Sequence, residues 1–183
     1  MKKGKVLVTG GAGFIGSHLC DALLDEEYTV VVVDNLCTGK KENVPEKAEF
    51  HELDICSEKI ADLFAQGSFN AVCHLAAQND VRTSVSKPVF DAQVNILGSI
   101  NLLQNCVKAN VKRFVFASTG GAIYGEADSL PVDETHPIRP ESPYGITKHA
   151  VEHYMRYFSD LSNLEVRSLR LGNVFGPRQD PYG

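Results

Sequence analysis

A chain of 183 residues, 43% hydrophobic and 22% charged, has the size and composition of one globular domain with a proper core. A net charge of −5 without a Lys/Arg block argues against nucleic-acid binding, and no apolar stretch approaches membrane-spanning length. The five scattered cysteines lack CxxC spacing. They predict reduced thiols in a cytoplasm, with no zinc or other metal site and no disulfide framework.

Apolar runs alternate with helical patterns along the chain. In chain order we predict a strand at 5–9, a helix at 14–27, strands at 29–34 and 48–54, a helix at 57–66, a strand at 70–77, a helix at 87–110, a strand at 112–118, a helix at 142–161 and a strand at 165–171. Ser57 is a candidate N-cap, and Pro88 stands in the first turn of its helix.

This alternation predicts an α/β fold of the Rossmann type. We expect a doubly wound parallel sheet with strand order 3-2-1-4-5-6 and helices on both faces, because the strands are apolar almost throughout. Ligands of such sheets bind beyond the carboxyl ends of the strands. The residues that follow each strand are therefore the candidates for function.

The segment TGGAGFIGS, residues 9–17, follows the first strand and opens the first helix. It contains Gly10-x-x-Gly13-x-x-Gly16 and, nested within it, Gly11-x-Gly13-x-x-Gly16. Glycines allow a tight turn and a close approach of the backbone to a pyrophosphate, and the helix N-terminus offers N–H groups. This context favours a dinucleotide-binding turn over a purely structural one.

Asp34 ends the second strand, 18 residues after Gly16. Its carboxylate can accept hydrogen bonds from both ribose hydroxyls of NAD and would repel the 2′-phosphate of NADP. No arginine follows directly, although Lys40 and Lys41 lie nearby and weaken the preference for NAD.

The third and fourth strand ends give weaker signals. Asp54 could bond an adenine amino group or could simply cap the end of its strand. Ala76 and Ala77 would leave room for a cofactor to pass, with loose packing as the alternative. His74 stands in an apolar run and is interpreted as a satisfied core histidine.

The stretch STGGAIYG, residues 118–125, ends the fifth strand and could be a phosphate loop, a catalytic strand end or a tight turn. No helix follows it directly, so the phosphate loop loses its physical support. In the next helix Tyr144 and Lys148 are four residues apart and share one face. We expect Lys148 to lower the pKa of Tyr144 and make it a usable acid or base. Ser118 or Thr119 could bond the same substrate oxygen.

Segments spread over nearly the whole chain carry a family resemblance: VTGGAGFIGSHL, VVDNLCTGK, ELDI, HLAAQ, SVSKP, VNILGS, STGGAIYGE, SPYGITK and RLGNVFGPRQDP. With them the chain resembles the extended short-chain dehydrogenases/reductases, in particular the NAD-dependent nucleotide-sugar epimerase/dehydratase group and its 4-epimerases of UDP-glucose. The resemblance implies a tightly held, recycled NAD, a UDP-sugar substrate and epimerisation through a transient 4-keto sugar.

The resemblance also implies residue roles. The cofactor would contact Gly10, Gly13, Phe14, Ile15, Gly16, Asp34, Asn35, Thr38, Gly39, Asp54, Ile55, Leu75, Ala76, Ala77, Asn95, Ser118, Tyr144 and Lys148. The catalytic groups would be Tyr144 as the base, Lys148, Thr119 and, in reserve, Ser118. The substrate would contact Thr119, Tyr144 and Asn173.

The STGGAIYG stretch departs from the pattern of the group. Gly120, Gly121 and Ala122 stand where dehydratases carry an Asp-Glu pair and decarboxylases typically carry a Glu, so we expect no elimination chemistry. Counting back from Tyr124, Gly120 occupies the usual Ser/Thr position, as though one residue were inserted. The sequence therefore leaves Thr119 and Ser118 open as the catalytic hydroxyl.

Members of the group are longer than this chain. We therefore expect residues 1–183 to be the NAD-binding domain of a longer protein, without its C-terminal substrate region and with little turnover alone. We also expect a homodimer through the helices at 87–110 and 142–161, with ordinary sheet-covering helices as the alternative. Another reductase, dehydratase or decarboxylase of the group, or a non-catalytic NAD-binding module, remains an alternative, and the sugar stays open.

Overall fold

The computed structural model describes residues 3–180 and contains one parallel six-stranded sheet. Its strands lie in the order β3-β2-β1-β4-β5-β6, which confirms the predicted Rossmann-type topology. The strands are β1 (Lys5–Thr9), β2 (Thr29–Asp34), β3 (Glu49–Glu52), β4 (Ala71–His74), β5 (Arg113–Thr119) and β6 (Glu165–Leu171). Because all six run in one direction, their carboxyl ends meet at one edge of the sheet.

Helices connect the strands on both faces. They are α1 (Phe14–Asp25), α2 (Ile60–Gly67), α3 (Val81–Ser86), α4 (Pro88–Ala92), α5 (Gly98–Lys108) and α6 (Pro143–Asp160). A π-helical segment, Gln93–Leu97, joins α4 to α5, so the single helix predicted at 87–110 is continuous but contains a widened turn. The short helix α3 was missed by the sequence analysis.

Five predicted boundaries differ from the structure by two or three residues, including the ends of α1 at Asp25 and of α5 at Lys108. β3 ends at Glu52 and β4 at His74, several residues before the predicted ends. Ser57 does not cap α2, which begins at Ile60. The reason is a turn that starts at Asp54, whose carboxylate accepts from the N–H of Cys56 at 2.7 Å and delays the helix.

Alternate residues of the strands belong to two hydrophobic clusters, one on each face of the sheet. The first contains Leu7, Val31, Val33, Val72, Phe114 and Phe116, packed against Ile60, Phe64, Leu102, Leu103 and Met155. The second contains Val6, Val8, Val30 and Val32 with Cys20 of α1. Each fully buried Leu or Phe stabilises the fold by roughly 1.5–3 kcal/mol.

All five cysteines are free thiols. None of the helices within residues 3–180 combines the length and the hydropathy that a membrane span requires.

Candidate functional site

The turn after β1 is a crowded glycine cradle. A Cβ on Gly16 would collide with the carbonyl oxygen of Gly10, and a Cβ on Gly10 would lie 2.6 Å from the backbone nitrogen of Ala76. Gly10 also has a φ of +72°, which side-chain-bearing residues rarely adopt. Both positions therefore require glycine, and the backbone there is open to close approach.

The N-terminus of α1 faces this cradle. Gly13 is its N-cap, no side chain caps the end, and the first turn, which begins with Phe14 and Ile15, contains no acidic residue. The N–H groups of an uncapped first turn and the positive end of the helix dipole attract an anion. The cradle and the helix end together fit the pyrophosphate of a dinucleotide.

Asp34, at the end of β2, presents a held carboxylate beside this turn. Its Oδ2 accepts from the N–H of Ala12 at 3.0 Å, and its Oδ1 accepts from the N–H of Leu36 at 2.9 Å. A Cβ on Gly39 would lie 2.8 Å from Oδ1, so glycine lets the loop pack against the carboxylate. Each carboxylate oxygen has a second lone pair, and Asp34 can thus accept further hydrogen bonds from a ribose.

Residues of the two neighbouring loops meet near Asp34. Asn35 and Thr38 are exposed, and the Asn35 amide donates to Asp54 Oδ2 at 2.8 Å. The other carboxylate oxygen of Asp54 accepts a hydrogen bond from the N–H of Cys56, so Asp54 has a structural role in its turn. Its contact with adenine stays a prediction. The side chain of Ile55 is 5% exposed and belongs to the core.

The loop after β4 is tied down by Asn95 from the π-helical segment. The Asn95 side chain accepts from the N–H of Gln78 and donates to its carbonyl oxygen, both at 2.9 Å. Leu75, Ala76 and Ala77, just before Gln78, are partly exposed at the sheet edge. Asn95 itself is 3% exposed, so its direct contact with a cofactor stays a prediction.

His74 is a core histidine, as interpreted from the sequence. Its Nδ1 lies 2.7 Å from Thr9 Oγ1 and its Nε2 lies 2.8 Å from Ser99 Oγ. Burial lowers the pKa of His74 to about 3, with a smaller effect from the charge of Lys148. The ring is therefore neutral at ordinary pH.

The end of β5 separates the two candidate hydroxyls. Ser118 donates to Glu152 Oε1 at 2.6 Å, and Glu152 also receives two hydrogen bonds from Arg170. The Thr119 hydroxyl instead interacts with the phenol of Tyr144 and accepts from the N–H of Ala122 at 3.2 Å. The structure thus brings Thr119 to Tyr144, whereas Ser118 bonds Glu152, two turns further along the same helix.

Lys148 is buried beside Tyr144, one turn along α6. It is 3% exposed, and its Nζ donates to the carbonyl oxygen of Ala117 at 2.8 Å. Nζ lies 4.6 Å from the ring centre of Phe116 and 5.7 Å from that of Tyr144. Burial lowers the pKa of Lys148 to about 8, and the negative charge of Asp91 opposes that change.

The expected lowering of the Tyr144 pKa is wrong in this structure. Burial of the phenol raises its pKa, and the carboxylate of Asp91 raises it further. Only the hydrogen bond with Thr119 acts in the opposite direction. Lys148 donates to the carbonyl oxygen of Ala117, and within residues 3–180 no hydrogen bond joins it to the phenol.

Asn173, the candidate substrate contact, lies beside the STGGAIYG stretch. A Cβ on Gly121 would lie 3.8 Å from Asn173 Oδ1, and Asn173 is exposed. The N–H of Gly120 donates to the carbonyl oxygen of Leu171 at 2.6 Å, which fixes the stretch to the end of β6. The predicted substrate residue and the predicted catalytic strand end are thus neighbours.

A buried polar cluster beneath the site was not predicted from the sequence. Asp91 Oδ1 accepts from the side chains of Gln78 and Asn95, and its Oδ2 accepts from Thr147 at 2.9 Å. Asp91 and Asn95 are four residues apart, and both are buried. Two polar residues at helical spacing within the long helix predicted at 87–110 were the signal that could have revealed the cluster.

Comparisons with known proteins agree with this geometry. A family model described as the NAD dependent epimerase/dehydratase family matches residues 6–183. The chain is 40% identical over 184 residues to a UDP-glucose 4-epimerase of Mycolicibacterium smegmatis, covering 98% of this chain and 59% of that protein.

Two crystal structures are also similar. The UDP-glucose 4-epimerase of Thermotoga maritima with UDP-glucose superposes with a TM-score of 0.96 at 49% identity, covering 98% of this chain and 59% of that one. The UDP-glucose 4-epimerase of Thermus thermophilus in complex with NAD superposes with a TM-score of 0.95 at 50% identity. The match covers 98% of this chain and 58% of that one. The chain therefore spans a little under three fifths of the length of these relatives.

Proposed function

The chain belongs to the NAD dependent epimerase/dehydratase family, and on that premise we propose that it carries the NAD-binding domain and catalytic groups of a nucleotide-sugar 4-epimerase. The substrate would be a UDP-sugar of the UDP-glucose/UDP-galactose type. The observation that carries this proposal is the meeting of Thr119, Tyr144 and Lys148 at the sheet edge that also presents the glycine cradle and Asp34. The names of the similar proteins support the same reaction.

NAD would lie along the carboxyl edge of β1 and β2. The N–H groups of Phe14, Ile15 and Gly16 would hold its pyrophosphate, and the carboxylate of Asp34 would accept from its ribose hydroxyls. The negative charge of Asp34 disfavours the additional phosphate of NADP. When bound, NAD would supply the acceptor and later the donor of the hydride at C4 of the sugar.

The side chains of the chain would handle the proton. Tyr144, a protonated phenol in this structure, would have to be ionised in the complex; as phenolate it takes the proton of the sugar 4-hydroxyl while C4 becomes a carbonyl, and it returns that proton once the configuration at C4 is inverted. Thr119 donates a hydrogen bond to the same sugar oxygen. The ammonium of Lys148, 5.7 Å from the centre of the Tyr144 ring, would stabilise the negative charge of the phenolate once it forms.

The side chains after Thr119 favour an epimerase over a dehydratase of the same family. Gly120, Gly121 and Ala122 contain no group that can transfer a proton. Elimination of water from the keto-sugar requires an acid and a base at the sugar. This stretch provides neither.

We propose in addition that two copies of the protein pair through α4–α5 and α6. Apolar side chains on or directly beside these helices are exposed, including Phe90 (46%), Leu97 (58%), Tyr157 (57%) and Leu161 (67%). Exposed apolar rows on adjacent helices are typical of protein–protein interfaces. The five free cysteines support a location in the reducing cytoplasm.

The proposed function is tested by assaying the whole protein against UDP-sugars with glucose, N-acetylglucosamine, glucuronate and pentose groups. The cofactor released on denaturation is identified alongside. We expect NAD and the 4-epimer of at least one sugar. A 4-keto-6-deoxy sugar as the main product, or no conversion of any of them, would contradict the proposal.

A further inference from the structure

Asp91 of α4 is a fully buried carboxylate. It is 0% exposed, and its hydrogen-bond partners are neutral: Gln78 Nε2 at 2.8 Å, Asn95 Nδ2 at 3.1 Å and Thr147 Oγ1 at 2.9 Å. Among residues 3–180 no Lys, Arg or His lies within ion-pair distance of it. Burying a carboxylate in this way is costly unless an opposite charge acts on it from nearby.

The opposite charge is Lys148. Within the described part of the chain it is the only buried Lys or Arg, and its ammonium has a carbonyl oxygen and two rings as neighbours rather than a carboxylate. The charge of Asp91 acts on this ammonium and favours its protonated form. Because Asp91 Oδ2 accepts from Thr147, the residue that precedes Lys148, at 2.9 Å, two buried groups of opposite charge lie close enough to stabilise one another without direct contact.

Thr147 connects Asp91 to the turn of α6 that carries the chemistry. Its Oγ1 lies 2.9 Å from Asp91 Oδ2 and 2.9 Å from the carbonyl oxygen of Tyr144, so its single proton is shared between a carboxylate and that turn. On its other side Asp91 holds Gln78, which belongs to the loop after β4. One carboxylate thus joins two separate parts of the site.

We propose that Asp91 is a positioning residue that fixes the first turn of α6 to the loop after β4 and balances the charge of the Lys148 ammonium. The catalytic consequence rests on the proposed function, whereas the charge balance is a property of the fold itself.

Other titratable groups near Lys148 do not supply this charge. His74 on β4 is neutral, and Tyr144 on α6 is a protonated phenol at ordinary pH because its pKa is raised. Glu152, one turn further along α6, is engaged by Arg170 of β6 through two hydrogen bonds. Asp80, the N-cap of α3, is an exposed carboxylate. Asp91 is the carboxylate that acts on Lys148 from the buried side.

The direct test is an NMR titration of the lysine side chains, with the Lys148 signal assigned by its loss in Lys148→Met. In Asp91→Asn we expect the Lys148 pKa to fall below its starting value of about 8. The fall should be about one unit or more. Asp91→Glu keeps the charge and should restore the titration. An unchanged Lys148 titration in Asp91→Asn would overturn the proposal.

Two further variants separate charge from structural damage. Thr147→Val removes the bridge but keeps the carboxylate, and Asp62→Asn makes the same substitution as Asp91→Asn at an exposed position of α2. Both should leave the Lys148 titration close to that of the unmodified protein. A shift in Thr147→Val as large as that in Asp91→Asn would mean that packing alone is responsible, and it would refute the charge balance.

A melting experiment covers the case in which Asp91→Asn folds poorly. If its instability arises from an unbalanced ammonium, adding Lys148→Met should raise the melting temperature above that of Asp91→Asn by roughly a few degrees. A further decrease in melting temperature would count against the proposal.

Activity links the inference to the reaction. In the whole protein, Asp91→Asn should move the high-pH limb of kcat/KM to lower pH, in step with the Lys148 titration. If the high-pH limb of the kcat/KM profile stays in place while the pKa of Lys148 shifts, the catalytic part of the proposal is overturned. If the Lys148 titration shifts but no nucleotide sugar is epimerised by either protein, the charge balance is supported and the proposed function is contradicted.

Discussion

At the scale of single residues, their different partners distinguish the two hydroxyls that the sequence left open. Both hydroxyls reach helix α6, but they meet it two turns apart, at Glu152 and at Tyr144. Ser118 contacts Glu152, and Thr119 contacts the phenol. We therefore expect Thr119 to be the hydroxyl that bonds the substrate oxygen.

Thr119→Val should lower kcat by about 10- to 100-fold, which is the effect of losing one hydrogen bond to an oxygen that is charged or becomes charged during the reaction. Thr119→Ser retains the hydroxyl and should retain most of the activity. Ser118→Ala is the matched control, and its effect should be markedly smaller. The assignment would be wrong if Ser118→Ala impaired turnover more than Thr119→Val.

The burial of Lys148 predicts a pH dependence. Because its pKa is lowered to about 8 from an ordinary value of 10.5, the folded protein loses this proton as the pH rises through about 8. The neutral amine no longer stabilises a phenolate, so kcat/KM should decrease above that pH. His74 should not affect the pH profile of kcat/KM near neutral pH, since its pKa is lowered to about 3. A profile still rising beyond about pH 9 would contradict this role of Lys148.

At the scale of elements, the glycine cradle and the N-terminus of α1 depend on each other. In Gly16→Ala the new Cβ meets a backbone carbonyl oxygen, which has little freedom to move, so either the helix or the turn must shift. We expect the purified variant to retain about one tenth or less of the NAD of the unmodified protein, since overpacking of this kind costs about 1–3 kcal/mol.

Gly172→Ala is the matched control for the cradle. A Cβ there has no heavy atom within 4 Å, so the substitution should leave the NAD content unchanged. Equal NAD contents in Gly16→Ala and Gly172→Ala would show that the cradle does not hold the cofactor.

The exposed apolar row on α4–α5 and α6 predicts the assembly state. Leu97→Glu places a charge in the proposed interface and should convert a dimer into monomers, measured by light scattering of the whole protein. Gln66→Glu adds the same charge on an exposed position of α2 and should leave the mass unchanged. A monomeric unmodified protein would contradict the dimer proposal.

Most elements could be predicted from local patterns, and the failures have local causes. β1, β2 and β6 match their predicted ends because glycine, charged or polar residues bound their apolar runs. β4 was predicted too long because the apolar residues after His74 continue past the last ladder pairing. Helix α3 has only six residues, too few for a helical period to stand out.

At the scale of the whole molecule, the parallel sheet collects residues from distant parts of the chain at one edge. Motif spacing predicted the members of this edge, such as Gly10, Asp34 and Tyr144. It did not predict the raised pKa of Tyr144 or the role of Asp91, because both depend on burial and on a contact between residues 56 positions apart in sequence. Local spacing contains no information on such contacts.

The proposed reaction makes one prediction about the fate of a single hydrogen atom. In a 4-epimerase the hydrogen at C4 leaves as hydride to NAD and returns to the same carbon on the opposite face, while C5 keeps its own hydrogen. Dehydration instead requires removal of the C5 proton, which then exchanges with solvent.

The most direct test is to incubate the whole protein with UDP-glucose deuterated at C4 and to follow the products by NMR. We predict UDP-galactose that retains deuterium at C4, and a parallel reaction of unlabelled UDP-glucose in D2O that introduces no deuterium at C4 or C5. Loss of the C4 label to solvent, or incorporation of deuterium at C5, would contradict the account.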